Sequence, residues 1–262
     1  MELSIIIPVY NSSQILPELI VQIKLYLKNK INTYDIFFIN DFSKDDSWNV
    51  IVKLSKEYSN IKGINLKKNY GQHNAIMAGL NSCNGKTIIL MDDDLQHDPK
   101  YIYKIYLQLK SNYEVCYVNY INRKHKFWKK TVSWLNNLIS SFLMNKEFKI
   151  YTSSYKGLKR EVVNKMIMYK EKDCFLDWLI FSCTKNITII DIEHQERFQG
   201  STNYSLRKLF HLWSSMIMIV PLKTRIITFI PLFILKILVK VYYFFFIKNT
   251  NKEQYIISET TY

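Results

Sequence analysis

Asp92, Asp93 and Asp94 stand together at the end of a short apolar run, in the stretch Thr87–Pro99, TIILMDDDLQHDP. Carboxylates at this density suit a hard divalent cation, which takes oxygen ligands and often shares them with substrate phosphates. Side chains alternate along an extended segment, so Asp92 and Asp94 are expected on one face while Asp93 points elsewhere. Thr87–Leu90 is β-branched or apolar and bounded by Gly85-Lys86, which predicts a buried strand. In an open α/β sheet, ligands sit beyond the carboxyl ends of the strands, where these carboxylates would lie. The plainer reading of the same residues is a solvated acidic turn capping a helix that begins near Pro99.

The surrounding chain supplies the elements such a site needs. Leu3–Val9 is an apolar strand, followed by Tyr10-Asn11-Ser12-Ser13 and an amphipathic helix from Ile15 to Leu27, with Ser12 or Ser13 as its cap. Tyr34–Ile39 predicts a second strand ending in Asn40-Asp41-Phe42-Ser43, and Asp45 and Ser47 open a helix that runs to about Tyr58. Ile61–Leu66 is a third strand, Asn69–Gly71 a loop, Ala75–Leu80 a helix and Thr87–Met91 a fourth strand. This alternation predicts an α/β fold with a mostly parallel sheet covered by helices on both faces. No GxGxxG or Walker loop follows any of these strands, which removes the main support for dinucleotide and P-loop readings. Further helices are expected over Pro99–Leu109, Lys129–Met144, Arg160–Met168 and Phe175–Cys183, with strands at Glu114–Val118, Tyr155–Leu158 and Ile187–Ile192. The division expected is a catalytic domain over 1–205, amphipathic and hydrophobic membrane-associating helices over 206–248, and a loosely ordered tail over 249–262. Within the second part, Ile226–Ile247 is long enough to cross a hydrocarbon core of about 30 Å. Lys236 and Lys240 interrupt it, and Pro231 bends or breaks it, so an interfacial helix with snorkelling lysines is preferred to a span.

The formal net charge of +14 fits anionic partners, among them phosphorylated small molecules and anionic lipid. Basic residues are scattered, with local density at Arg123–Lys130, and no zinc-finger spacing or aromatic RNA-binding signature accompanies them, so nucleic acid ranks low. Cys83, Cys116, Cys174 and Cys183 form no CxxC pair and read as reduced core thiols. His73 and His97 are isolated and read as polar loop contacts rather than metal ligands.

Four pieces in order, IIIPVYN (Ile5–Asn11), INDFSKDDS (Ile39–Ser47), NYGQHNAIMAGL (Asn69–Leu80) and MDDDLQHDP (Met91–Pro99), resemble the GT-A fold of the family 2 glycosyltransferases. A fifth, ERFQGSTNYSLRKL (Glu196–Leu209), is similar to the branch that moves sugars onto polyprenyl phosphates, such as dolichyl-phosphate mannosyltransferases and undecaprenyl-phosphate 4-deoxy-4-formamidoarabinose transferases. The resemblance implies a GT-A nucleotide-diphospho-sugar transferase fold and an inverting transfer from a nucleotide sugar to undecaprenyl phosphate, at the cytoplasmic face of a bacterial membrane. It implies Mg²⁺ or Mn²⁺ held by Asp92 and Asp94, the catalytic carboxylates. Donor contacts are implied for Pro8, Tyr10, Asn11, Asp41, Ser43, Gln72, Asp93 and Gln96. The alternative for Asp41 is a cap on the helix opening at Asp45. Phe42 stands where relatives carry glycine, a departure that bears on the shape of the turn.

For the acceptor, the resemblance singles out Arg197, with hydroxyl contacts from Thr202 and Tyr204 and a further cation at Arg123. A phosphate monoester is already a nucleophile at neutral pH, so cations suffice to hold it, and arginine offers a fork matched to phosphate. A structural Arg197 paired with Glu193 or Glu196 is the simpler account. A sugar-hydroxyl acceptor, as in a peripheral transferase extending a surface polysaccharide, would instead need a base, for which Asp173 and Asp177 are the candidates. An exposed helix face accounts for Asp177 as readily. A non-catalytic membrane-bound partner on a degenerate transferase scaffold is the third reading, and a homo-oligomer is left open.

Overall fold

The structure, a computed structural model, describes residues 1–121, 137–138, 140–141, 144–171, 174–193 and 253–262. The expected helix over Lys129–Met144 lies mostly outside them, and the amphipathic and hydrophobic helices over 206–248 lie wholly outside. Among the described residues no helix is long and apolar enough to cross a membrane.

The first half follows the apolar periodicity closely. Strand β1 (Leu3–Val9) leads to α1 (Leu16–Leu27), β2 (Tyr34–Asn40) to α2 (Ser47–Glu57), β3 (Ile61–Leu66) to α3 (Gln72–Ser82), and β4 (Thr87–Leu90) closes the run. All four strands are parallel, with β1 between β2 and β4. Their apolar runs are continuous because both faces are covered. Leu3, Ile5, Ile7 and Val9 pack with α1 and with Ile51 and Leu54 of α2. Ile6, Phe37, Ile39, Ile88 and Leu90 pack with α3 on the other side. Ser12 and Ser13 do not cap α1, whose N-cap residue is Ile15. Their backbone N–H groups donate instead to Ser47 Oγ and Asp45 Oδ2, each at 3.0 Å, tying the β1–α1 turn to the β2–α2 turn.

The second half departs from a simple parallel order. A single 3₁₀ turn, Pro99–Tyr101, leads into α4 (Ile102–Lys110), followed by β5 (Val115–Ile121), β6 (Lys156–Lys159), α5 (Arg160–Met166), α6 (Leu176–Cys183), β7 (Ile187–Glu193) and β8 (Ile257–Thr260). The eight strands run β7-β5-β6-β4-β1-β2-β3-β8. Strand β6 lies antiparallel between β4 and β5, and β8 is antiparallel to β3, so the sheet is mixed. The end of the chain, read above as a loosely ordered tail, is therefore an edge strand. Its side-chain contacts are specific: Trp48 Nε1 donates to Glu259 Oε2 at 2.8 Å, and the Gly63 N–H donates to Thr261 Oγ1 at 2.8 Å. The outer edge of β3 presents backbone donors and acceptors that need partners, and the tail supplies them.

Phe42 adopts a backbone conformation that favours glycine. Its φ is +60°, in the left-handed region, and its ring is half exposed. Left-handed backbone costs a residue with a Cβ about 1–2 kcal/mol. Phe42→Gly is accordingly expected to raise the unfolding free energy by about 1 kcal/mol in urea titrations, and a loss of stability would show that the ring makes compensating contacts.

Candidate active site

The carboxyl ends of β1, β2 and β4 and the loop before α3 enclose a cavity of about 360 Å³. Pro8 and Tyr10 reach it from β1, Asp41 from β2, and Gln72 from the first turn of α3. Asp92, Asp93 and Asp94 all line it, which corrects the expectation that Asp93 points away from its neighbours. The alternation ends because strand geometry ends: β4 stops at Leu90, and Leu95 turns the chain at φ +59°.

Each carboxylate has its own surroundings. Asp92 Oδ1 accepts from Gln72 Nε2 at 2.6 Å, and Oδ2 accepts from Ser154 Oγ at 2.8 Å. Asp94 Oδ1 accepts the backbone N–H of Gln96 at 3.1 Å. Asp93 Oδ2 accepts the backbone N–H of Tyr10 at 3.4 Å, joining β4 to β1. Burial raises the Asp93 carboxyl to about 6, the charges of Asp92 and Asp94 add to the rise, and the Ser12 hydroxyl and Tyr10 N–H oppose it.

The pH consequence follows from the sign of that shift. Folded Asp93 holds its proton more tightly than the unfolded chain, whose ordinary value is 3.8. Its contribution to stability is full below pH 4 and is lost as pH rises through about 6. Asp93→Asn, whose amide oxygen still accepts from Tyr10, is expected to be more stable than the parent at pH 7.5 by about 1–2 kcal/mol, a value discounted for partial exposure. Near pH 4 the two are expected to coincide, and an equal advantage at both pH values in urea unfolding would contradict this origin.

Asp41 does not cap α2. Its carboxylate accepts the backbone N–H groups of Tyr70 and Gly71 at 2.7 and 2.8 Å, and so shapes the loop that forms the cavity wall. Burial pushes this carboxyl upward, and the two N–H groups pull it back. Gly71 has φ +85°, which its lack of a Cβ permits. Asn11 and Ser43 brace the wall rather than line it: the Asn11 N–H donates to Ser43 Oγ at 3.0 Å, and the Lys44 N–H to Asn11 Oδ1 at 2.7 Å. Asn11 lines a neighbouring cavity of about 470 Å³ with Ser12, Ser13 and Lys44. Gln96, expected to face the donor, does not line the first cavity.

His73 lies in α3, not in a loop, with its ring 5.2 Å from that of Phe175. Burial lowers its pKa to about 4, so it adds no positive charge at neutral pH. Asp177, for which a base in the hydroxyl-acceptor reading and an exposed helix face were the two readings, is buried in the first turn of α6. It forms an ion pair with Lys156 and accepts the Tyr117 hydroxyl at 2.8 Å. Lys156 sits opposite Leu90 in the β4–β6 pairing, so the pair lies just before the acidic turn in the sheet. An inward-facing lysine on a buried strand demands a carboxylate partner, and Asp177 meets that demand. Arg197, Thr202, Tyr204, Arg123 and Asp173 lie outside the described residues.

The donor set fits a hard divalent cation. Three neighbouring carboxylates open on one cavity, and burial beside two like charges leaves Asp93 short of counter-charge. Among the described residues no group of three or more His, Cys, Asp or Glu is arranged to hold a metal alone. Such sites are the kind completed by substrate phosphate oxygens, with the protein supplying one or two carboxylates.

Known proteins place this geometry. An undecaprenyl-phosphate 4-deoxy-4-formamido-L-arabinose transferase from Photorhabdus laumondii is 31% identical over 212 residues, which cover 80% of this chain and 65% of the relative. Proteins of the same name from Yersinia pestis and Pseudomonas fluorescens are 32% and 31% identical over 82% of the chain. The chain spans slightly less than two thirds of the length of these relatives. Among solved structures, glucosyl-3-phosphoglycerate synthase from Mycobacterium tuberculosis, crystallised with Mn²⁺, UDP-glucose and phosphoglyceric acid, superposes with a TM-score of 0.59 at 12% identity. That match covers 83% of this chain and 79% of the synthase, and shows a common fold. The family described as glycosyl transferase family 2 matches residues 4–167, more than half of the chain, and the chain belongs to it.

Proposed function

We propose that this glycosyltransferase moves a sugar from a nucleoside-diphosphate donor onto a polyprenyl phosphate, of the undecaprenyl type, at the cytoplasmic face of a bacterial membrane. The observation that carries the choice of acceptor is the state of Asp177. A hydroxyl acceptor needs a base, and Asp177, the residue read for that role that the structure describes, is buried against an ammonium group and a tyrosine hydroxyl. A phosphate monoester needs none. The names of the relatives point the same way.

In this reading Tyr10 and Pro8 flank the nucleoside, and the loop held by Asp41 closes the other side. Asp92 and Asp94 would hold Mg²⁺ or Mn²⁺, which neutralises the charge that grows on the departing diphosphate. Mn²⁺ in the structure of the fold neighbour supports this choice. An acceptor phosphate oxygen forms the new bond at the anomeric carbon from the face opposite the leaving group. The bond to the nucleoside diphosphate breaks with its electron pair, and the configuration inverts. Arg197, with Thr202, Tyr204 and Arg123, would hold the acceptor phosphate in line. Ile226–Ile247 would lie in the lipid interface and bring the site to its acceptor.

The test supplies labelled nucleotide sugars, undecaprenyl phosphate and Mn²⁺ to the full chain. A labelled lipid that releases sugar in mild acid is expected. Transfer to an oligosaccharide, with no labelled lipid from any donor, would replace this reading with the polysaccharide-extending one.

A further inference from the structure

We propose that His97 is a positioning residue that holds Asp92 at two points, its main chain directly and its carboxylate through Ser154. The inference rests on the reading of Asp92 and Asp94 as the cation-holding pair. The Asp92 N–H donates to His97 Nδ1 at 2.8 Å. A nitrogen that accepts from an amide carries no hydrogen, so the ring is the neutral tautomer with its hydrogen on Nε2. Nε2 lies 3.3 Å from Ser154 Oγ and 3.6 Å from Asp92 Oδ2. Ser154 Oγ in turn donates to that Oδ2 at 2.8 Å. The donors therefore run in one direction, from Nε2–H to the serine oxygen and from the serine hydroxyl to the carboxylate.

The ring has little freedom to leave this arrangement. It is 5% exposed and stacks on Tyr155 at 4.8 Å between centroids with an interplanar angle of 12°. Tyr120 stacks at 6.1 Å and 19°. The Tyr155 hydroxyl is itself anchored, donating to the Asp98 carbonyl at 3.1 Å. Leu95, at φ +59°, turns the chain so that a residue five positions on folds back beneath Asp92. His97 does not line the cavity. It is thus placed to orient a ligand and not to serve as one.

Asp92 is fixed from outside its turn, by Gln72 on one oxygen and by the His97–Ser154 pair on the other. Outer-shell partners of this kind typically change metal affinity by about 10–100-fold when removed.

The experiment measures Mn²⁺ binding by the full chain, from the loss of the free-ion electron paramagnetic resonance signal, with UDP, GDP, CDP and TDP in turn. His97→Phe keeps a flat ring between the tyrosines and removes both nitrogens. It is expected to weaken Mn²⁺ binding by about 10–100-fold while still unfolding as a cooperative, folded protein. His97→Asn restores an acceptor where Nδ1 stood and is expected to recover much of that loss. A folded His97→Phe protein that binds Mn²⁺ within about twofold of the parent would overturn the positioning role alone. A parent protein that binds no Mn²⁺ with any of the diphosphates would overturn the cation reading and this inference with it. If His97→Phe does not fold, His97→Asn is compared with His97→Gln: tighter binding by Asn supports the grip on the Asp92 main chain, and equal binding refutes it.

Discussion

Asp94→Asn is expected to lower turnover by about 10³-fold or more and to leave the fold unchanged. The substitution separates charge from shape. The asparagine side-chain oxygen can still accept the Gln96 N–H, so the turn after β4 keeps its internal bond. What disappears is a negative charge facing the cavity beside Asp92 and Asp93. Stabilising the charge on a leaving diphosphate through a held cation is worth several kcal/mol, and each 1.4 kcal/mol or so is tenfold in rate. Single-turnover rates with labelled donor, together with circular dichroism and thermal melts, provide the check. A variant that melts normally and retains more than about a tenth of the activity would remove Asp94 from the cation site.

The second large effect concerns stability. Lys156→Met is expected to destabilise the protein by about 3–5 kcal/mol, because it strands a buried carboxylate. Lys156 is 3% exposed and Asp177 9%, so water cannot take over the ammonium's role. The Tyr117 hydroxyl remains bonded to Asp177 but carries no charge to match it. Adding Asp177→Asn to the first change should restore most of the loss, since the amide oxygen still accepts from Tyr117 and no buried carboxylate is left without its ammonium. Urea unfolding of the two proteins measures both values, and a loss below about 1 kcal/mol for Lys156→Met would mean that the pair is solvated. The single variant Asp177→Asn also separates the two acceptor chemistries. Activity per folded molecule is expected to survive it when the acceptor is a phosphate, and to vanish if Asp177 is the base for a hydroxyl.

The first half of the fold was legible because its signals are local. Runs such as Leu3–Val9 and Tyr34–Ile39 match their strands to within a residue, and burial on both faces of a parallel strand leaves an unbroken apolar run. Strand β8 was not legible. Ile257–Thr260 is exposed along its length and shows no apolar pattern, and it is a strand only because β3 offers it an edge. The site divides in the same way. Asp41, Asp92, Asp93, Asp94 and Gln72 could be read because they fall within short motifs at strand ends. The grip of Ser154 on Asp92 spans 62 positions, and no spacing rule foretells it. The burial of Asp177 was not legible because helix periodicity tells which residues share a face and not what faces them. Its partner Lys156 lies 21 positions earlier on a strand.

Strand β8 also sets where the two ends of one long interval of chain are anchored. Strands β7 and β8 are the two margins of the eight-stranded sheet, so the chain between Glu193 and Ile257 must travel from one margin to the other. At about 4.8 Å per strand, that journey is about 34 Å. Glu193 and Ile257, the residues that bound that interval, are therefore held apart by one hydrogen-bonded sheet. Cutting off the last few residues would strip away one margin of that sheet and bare the row of backbone groups along β3.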